Sequence, residues 1–544
     1  MLKYSRIVLP AFFLLLALST FGQTAGSALS SWGIIGLIAI IVLLVLSMVI
    51  MVGDNLLVLE AKRQGLDTSS HDLSITPKAG AVLGGSVPAQ TTGAPVIRLK
   101  KGYDILLEGA AEKKISEGGA TTYAIRPTDF IGMTPIPKLM VEVGQSVNAG
   151  DPLFFDKPNP DVLYCAPVSG EVIAINRGEK RSIAEVVILA DKTQSSRSYD
   201  LPGLNGNREA LVQFLLSSGV WPMIRQRPYN TVANPADTPK SIFISTFDTA
   251  PLAPDLNLVV EGRGDDFQKG LDVLSHLTSG KVHLGLDGRS KYTPSPVFSQ
   301  AKGVVKHSFN GKHPAGNVSV HIHHVDPVDA HHIVWTLGVQ DVLTIGALFN
   351  RGQFDTSRVI ALSGSELSAP QYVKTHQGAQ IGELLKPVLP QEDGKRIIAG
   401  DVLSGQQTNT KQYLPYYADQ ITVIKEGDYV ELFGWLLPSL SKPSVSRAFP
   451  NFLFPNHTFE ANTNMHGEKR AFVVTGQYED LLPMDIYPQH LMKAILVNDF
   501  ERMEGLGIYE LVEEDVALCE FACTSKQPLQ QILRKGLNAM REQG

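Results

Sequence analysis

The sequence predicts a multidomain α/β and α+β body carried on an N-terminal transmembrane helix. Three observations carry that prediction. The chain has 544 residues, more than one hydrophobic core of about 250–300 residues can serve, so it divides into several domains. Its 48 Gly and 33 Pro imply many turns and short strands in place of a long helical bundle. Residues 34–52 are apolar throughout except Gly36 and Ser47, and at about 1.5 Å per residue this run matches a bilayer core roughly 30 Å thick.

Composition narrows the functions open to the chain. With 44% hydrophobic and 19% charged residues the bulk is globular and not disordered. A net charge of −6 without any Lys/Arg stripe excludes nucleic acid as a partner. Three cysteines, Cys165, Cys519 and Cys523, are too few and too far apart for a disulfide framework, which fits a body kept in a reducing compartment.

Residues 1–22 hold Lys3 and Arg6 ahead of a short apolar run broken by Pro10. They form a signal-peptide-like segment or a first membrane segment. Residues 19–31 carry no charge, the transmembrane helix covers 32–53, and Lys62 and Arg63 follow as the positive flank of the cytoplasmic side. The main body is therefore expected on the cytoplasmic side. Residues 54–95, rich in Gly, Pro, Ser and Thr toward their end, are a linker.

Residues 96–198 alternate short strand patterns with Gly-Asp and Pro-x-x-Gly turns, as a small β-sandwich or barrel does. The phrases VEVGQSVNAGD (141–151) and APVSGEV (166–172) resemble the biotinyl/lipoyl carrier fold. Lys157 lies in the region where such a carrier bears its cofactor. Pro158 and Pro160 after it lengthen the excursion, and no Met-Lys-Met context surrounds it, so the domain is expected to be an unmodified structural relative.

Residues 199–380 are expected to form a Rossmann-like α/β domain. Residues 241–247 form an uncharged strand, 263–280 a helix with Phe267, Leu271, Leu274 and Leu277 on one face, and 282–285 the next strand. No complete G-x-G-x-x-G follows a strand; EGRGD at 261–265 is only a weak phosphate-loop candidate.

The densest polar cluster runs from GKHPAG (311–316) through His321, His323, His324, Asp326, His331 and His332. Strand alternation would set His321 and His323 on one face and His324 on the other. Imidazole and carboxylate are zinc or iron ligands when three converge, they serve equally as polar contacts to a ligand such as a quinone, and as ordinary hydrogen-bonded histidines they carry no chemistry at all. His313, His321, His323 and Trp335 are the candidate residues for a quinone site or an interface; no catalytic residue and no metal ligand is assigned.

The chain resembles the A subunit of the sodium-translocating NADH:quinone oxidoreductase. The resemblance rests on LKKGYD (99–104), GDDFQKGLDVLSHLTSG (264–280), GKHPAG (311–316), HIHHVDP (321–327), VWTLGVQDVLTIGALF (334–349), RVIALSG (358–364), LPMDIYP (482–488) and EDVALCEFAC (514–523). It spans about residues 96–540. It implies a lipoyl-like β domain, a Rossmann-like domain, a β-grasp domain at 381–450 and a helical C-terminal part at 451–544, with helices over 488–500 and 501–521. Residues 401–405 and 423–433 fit the β-grasp piece. It also implies one member of a complex in the bacterial inner membrane that oxidises NADH, reduces quinone and exports sodium ions. Five other subunits are then its partners, chief among them the membrane subunit that bears flavin. FAD, FMN, riboflavin and iron centres are expected in those partners, no tightly bound cofactor in this chain, and quinone is the substrate. The related C subunits of ferredoxin:NAD reductases carry iron–sulfur clusters, which need closely spaced cysteine runs; Cys519 and Cys523 alone do not supply one. A contribution to quinone access or binding leads, and the alternative is a purely structural docking role in the same complex. The N-terminal extension departs from the family, whose ordinary member begins near Val96.

Overall fold

Short strands, the central Ser241–Ser245 and Val334–Thr336 uncharged, alternate with amphipathic helices to build the layer that organises the middle of the molecule. The computed structural model describes residues 40–42, 45 and 94–544, apart from 202, 204–206, 432–441, 447–452, 455 and 544. The predicted segments 1–22, 32–53 and 54–95 thus lie almost wholly outside the described residues. Ile40, Ile41, Val42 and Val45 are helical with side chains about half exposed. No helix among the described residues is long and apolar enough to cross a membrane. Chain contacts separate Met1–Ser86 from Val87–Gly544, and all the strands belong to the second unit.

The seven-stranded sheet runs in the order Val96–Arg98, Val305–Asn310, Lys281–Asp287, Ser241–Ser245, Val334–Thr336, Arg225–Arg227, Thr231–Val232. The first five are mutually parallel; Arg225–Arg227 runs antiparallel to them, and Thr231–Val232 antiparallel to Arg225–Arg227. Ile242, Phe243 and Ile244 are all buried, as expected of a parallel strand covered on both faces. From Ser241–Ser245 the chain steps outward to Lys281–Asp287 and Val305–Asn310, then returns to Val334–Thr336 on the other side. That reversal is a topological switch, the place where open parallel sheets form a ligand crevice at the carboxyl ends of their strands.

Helix Gly264–Ser275 crosses helix Val339–Arg351 at glycines. A Cβ at Gly346 would lie 1.7 Å from Asp266 O, and one at Gly270 2.3 Å from Val342 O. The helix stops five residues short of its predicted end because 276–280 are needed for the return. His276 and Leu277 bond back to Val273 and Leu274 in a tightened last turn, and Thr278 and Ser279 bond Pro239 O before strand Lys281–Asp287 begins.

Four strands, Glu112–Glu117 among them, sit in a different sheet from the one the sequence boundaries gave them. Val96–Arg98, counted with the β domain, pairs with Val305–Asn310 in the register Val96↔Ser308. Ser357–Ser363 and Gln371–His376, counted with the α/β domain, belong to a six-stranded mixed sheet with Gln406–Thr408, Lys395–Ala399, Gln420–Lys425 and Glu112–Glu117. Residues 401–404 make the turn in that sheet, where Asp401 Oδ1 accepts from Leu403 N and Ser404 N.

A four-stranded sheet (Thr122–Ile125, Ile183–Ala190, Gly170–Arg177, Ser146–Val147) and a three-stranded one (Lys138–Leu139, Pro152–Asp156, Asn159–Cys165) form the small β domain. Leu153, Phe154, Val168, Val172, Val186 and Ile188 are fully buried in it. Lys157 and Pro158 are the two residues of a tight hairpin tip, with Asp156 paired to Asn159. The prolines therefore do not lengthen the excursion: Pro158 takes a turn position, and Pro160 sits in an edge strand that needs no N–H from it.

The C-terminal part packs Pro488–Leu496, Phe500–Gly505, Glu513–Ala522 and Leu529–Gln543 around Leu491, Met503, Leu518 and Leu533. The single helix predicted over 501–521 is broken after Gly505, where Gly507 takes a left-handed φ of 85°. Cys519 and Cys523 are buried free thiols here, with Cys523 Sγ accepting from Tyr478 Oη at 2.8 Å, and Cys165 is a buried free thiol of the β domain.

Candidate functional site

The carboxyl ends of the parallel strands release the loops that line the crevice. The loop after Ser241–Ser245 carries Asp248 and Thr249, and the loop after Val305–Asn310 carries Lys312 and His313. Glycine lets these loops meet: a Cβ at Gly316 would lie 2.8 Å from Thr249 N. Gly102, with φ of 116°, admits the 99–104 segment, since a Cβ there would lie 2.5 Å from His313 O.

His313 is clasped from both sides. Its N–H donates to Asp104 Oδ1 at 2.9 Å, its carbonyl accepts from Tyr103 N at 2.9 Å, and Nδ1 lies 3.2 Å from Thr249 Oγ1. Nε2 is buried without a hydrogen-bond partner. Burial holds the imidazole's pKa down at about 4, against the pull of Asp401 and Asp104, so the ring is neutral near pH 7. Asp248 keeps solvent access; the surrounding protein, with Asp401 and Glu514 adding repulsion, pushes its carboxyl up to about 6.

A polar seam continues from the crevice between the sheet and the C-terminal helices. Asn317 Nδ2 donates to Asp515 Oδ1 at 3.0 Å, and burial pushes Asp515 up to about 6. Arg227, 2% exposed, reaches Glu514 at 3.5 Å while its Nε and Nη1 have no partner. Arg534 forms an ion pair with Glu513 and donates to Tyr229 O at 2.9 Å.

The predicted site residues do not converge. Residues 318–325 are a helix and not a strand, because the apolar Val318, Ile322 and Val325 recur at helical spacing against Phe243 and Val334. His321 and His323 consequently leave the helix on different sides. His321 is stacked on Phe309 at 3.8 Å and donates through Nε2 to Ala315 O at 2.9 Å; burial lowers its pKa to about 3. His323 is spent on the seam, bonded to Glu510 at 2.7 Å and accepting from Asp485 N at 3.0 Å. His324 donates to Pro483 O at 2.8 Å. Trp335 is wholly buried, edge-on to Trp221 at 5.4 Å, with Nε1 donating to Gln226 at 3.2 Å. His331 and His332 are exposed. Among the described residues no three His, Cys, Asp or Glu side chains could hold a metal together. The weak phosphate-loop candidate opens helix Gly264–Ser275, whose first turn already holds Asp265 and Asp266; these carboxylates occupy the positive end of the helix that a phosphate would use.

Of the four candidates, His313 and His321 each keep one buried ring nitrogen without a partner, and of these two only His313 sits on the loop after Val305–Asn310, beside Thr249. Asp104, Asp248, Thr249, Arg227 and Asp515 were not picked out from sequence. The switch-point rule for parallel sheets was the available signal for Asp248 and Thr249, which follow the strand at 241–245.

Three family models match the chain: the NqrA N-terminal barrel-sandwich hybrid domain over residues 97–191, the NqrA second alpha/beta domain over 206–354 and the NQRA C-terminal domain over 359–410. The A subunit of the Na(+)-translocating NADH-quinone reductase from Yersinia pestis bv. Antiqua (strain Angola) is 38% identical over 462 residues, which cover 82% of this chain and all of that protein. The corresponding Rhodopirellula baltica protein is 39% identical over 461 residues, 83% of this chain and all of that one. That of Neisseria meningitidis serogroup B is 38% identical over 455 residues, again covering all of its length. Among solved structures, an NAD+-reducing [NiFe]-hydrogenase in the air-oxidized state overlaps 64% of this chain and 72% of its own at 12% identity and a TM-score of 0.32, a level at which nothing about function transfers.

Proposed function

Because the chain belongs to the NqrA family, the A subunits of the Na+-translocating NADH-quinone reductase, we propose that its carboxyl-edge crevice serves the quinone half of the reaction. In this reading the chain admits or holds the quinone headgroup. NADH oxidation, flavins, iron centres and sodium export belong to five partner subunits, with the body docked on the cytoplasmic side of the bacterial inner membrane, against the flavin-bearing membrane subunit. The chain alone does not oxidise NADH. The observation that carries the reading is His313: it sits on a loop at the topological switch, the usual ligand position of an open parallel sheet, and its neutral ring keeps one buried nitrogen without a partner. A quinone needs few but well-aimed polar partners for its carbonyls and an apolar surround for its ring.

A photoreactive quinone analogue added to the purified complex tests this. The reading expects label on the peptides containing residues 246–250 or 311–316. Label confined to other subunits would overturn it and leave the chain with a docking role.

A further inference from the structure

We infer that Thr249 is a positioning residue which sets the tautomer of His313, so that His313 Nε2–H is presented as a hydrogen-bond donor to a carbonyl oxygen of the bound quinone. The inference rests on the crevice being the quinone site, and goes beyond it by assigning the atom and the chemical state.

The hydroxyl of Thr249 has one proton. Thr249 Oγ1 accepts from Gly316 N at 2.9 Å, and in this scheme its own proton goes to His313 Nδ1, 3.2 Å away. With Nδ1 accepting, a neutral imidazole must carry its proton on Nε2. That nitrogen is buried and has no partner. A buried N–H without an acceptor is rare in a folded protein and unfavourable, and a ligand oxygen that accepts it removes the penalty. The donor is uncharged, so it suits a neutral carbonyl better than a phosphate or carboxylate. Asp104 holds the main chain of His313, and the side chain is buried, so packing leaves the ring little freedom to turn away. Thr249 touches no ligand in this scheme; it acts through His313.

The test uses the assembled complex with a water-soluble short-chain quinone as substrate. Thr249→Val removes the hydroxyl, Thr249→Ser retains it, and His313→Phe keeps a flat ring without a donor. The expected result is a quinone KM raised about tenfold by Thr249→Val and at least as much by His313→Phe, with kcat within about twofold, the pattern of lost binding common to ground and transition states. Thr249→Ser should restore a near wild-type KM. Imidazole ¹⁵N shifts of His313 should report protonated Nε2 in the wild type and a mixture of tautomers in Thr249→Val. If His313→Phe raises KM but Thr249→Val and Thr249→Ser behave alike, the positioning role is wrong while the quinone site stands. If no variant moves KM and the quinone analogue labels other subunits, the site itself is wrong. Melting temperatures of the three variants separate loss of fold from loss of binding, and Thr249→Ser keeps the comparison decisive should Thr249→Val not fold.

Discussion

The barrel-sandwich domain and the seam between the parallel sheet and the C-terminal helices bury their side chains to the same degree but finish them differently. In the first, Leu153, Phe154, Val172 and Ile188 are fully buried, and Phe154 stacks on Tyr164 at 5.1 Å. No described residue from 94 to 224 leaves a buried polar side-chain atom without a partner. In the second, the buried atoms include Arg227 Nε and Nη1, Asn230 Oδ1, His313 Nε2, Ser319 Oγ and Thr336 Oγ1, all unpartnered. Each such group costs about 1–3 kcal/mol, which stability alone does not require. The barrel is a finished structural module; the crevice and seam retain unmet hydrogen-bonding capacity that a ligand can use.

The contrast can be broken most forcefully in the barrel. Phe154→Ala should cost about 3–5 kcal/mol in chemical denaturation, by the same amount from pH 5 to 8, and leave the quinone KM of any complex that assembles unchanged. A KM shift there would erase the distinction between the two regions.

On the sheet side the variants should change the pH dependence of stability. His321 has a folded pKa of about 3, held down by burial, so the unfolded chain takes up the proton first as the pH falls. The stability from its neutral state is present above about 6.5 and is lost toward pH 3, by roughly 1.4 kcal/mol per pH unit. His321→Phe should remove that slope in denaturation curves measured from pH 7 to 4. Asp515 acts with the opposite sign. Its folded pKa of about 6 exceeds its unfolded value, so the folded state binds the proton more tightly. Stability is higher below about pH 4 and falls as the pH rises to about 6, by a similar slope at most. Asp515→Asn should flatten this interval, and an unchanged profile would mean that the carboxyl is not enclosed as the seam requires. The smallest effect is expected at Lys157 on its exposed hairpin tip: Lys157→Ala should alter stability by less than about 0.5 kcal/mol, and an intact mass of the purified wild-type chain should match the unmodified sequence.

The same contrast explains what could be read from sequence. The barrel's strands, the strand expected at 241–247 and the helix expected at 263–280 are local patterns, and the last two appear at Ser241–Ser245 and Gly264–Ser275, each short of its expected end. Val96–Arg98 pairs with residues over two hundred positions away, and no local pattern records that partner. HIHH at 321–324 is too short to separate a period of 2 from one of 3.6; the surrounding Val318, Ile322 and Val325 decide for the helix only once Phe243 and Val334 are seen against them. The site draws Asp104, the Asp248–Thr249 loop, His313, Asp401 and Glu514 from separate segments. His313 was legible as a polar residue in a Gly-Pro loop, whereas Thr249 has no significance until its hydroxyl is found beside the ring.

Hydrogen exchange of the intact complex, with and without saturating quinone, tests most directly whether the unmet capacity belongs to a ligand site. The account predicts slower exchange in 246–250 and 311–316 on quinone addition, with strands Gly170–Arg177 and Ile183–Ala190 of the barrel unchanged. Protection of the barrel strands with none at the crevice loops would contradict it.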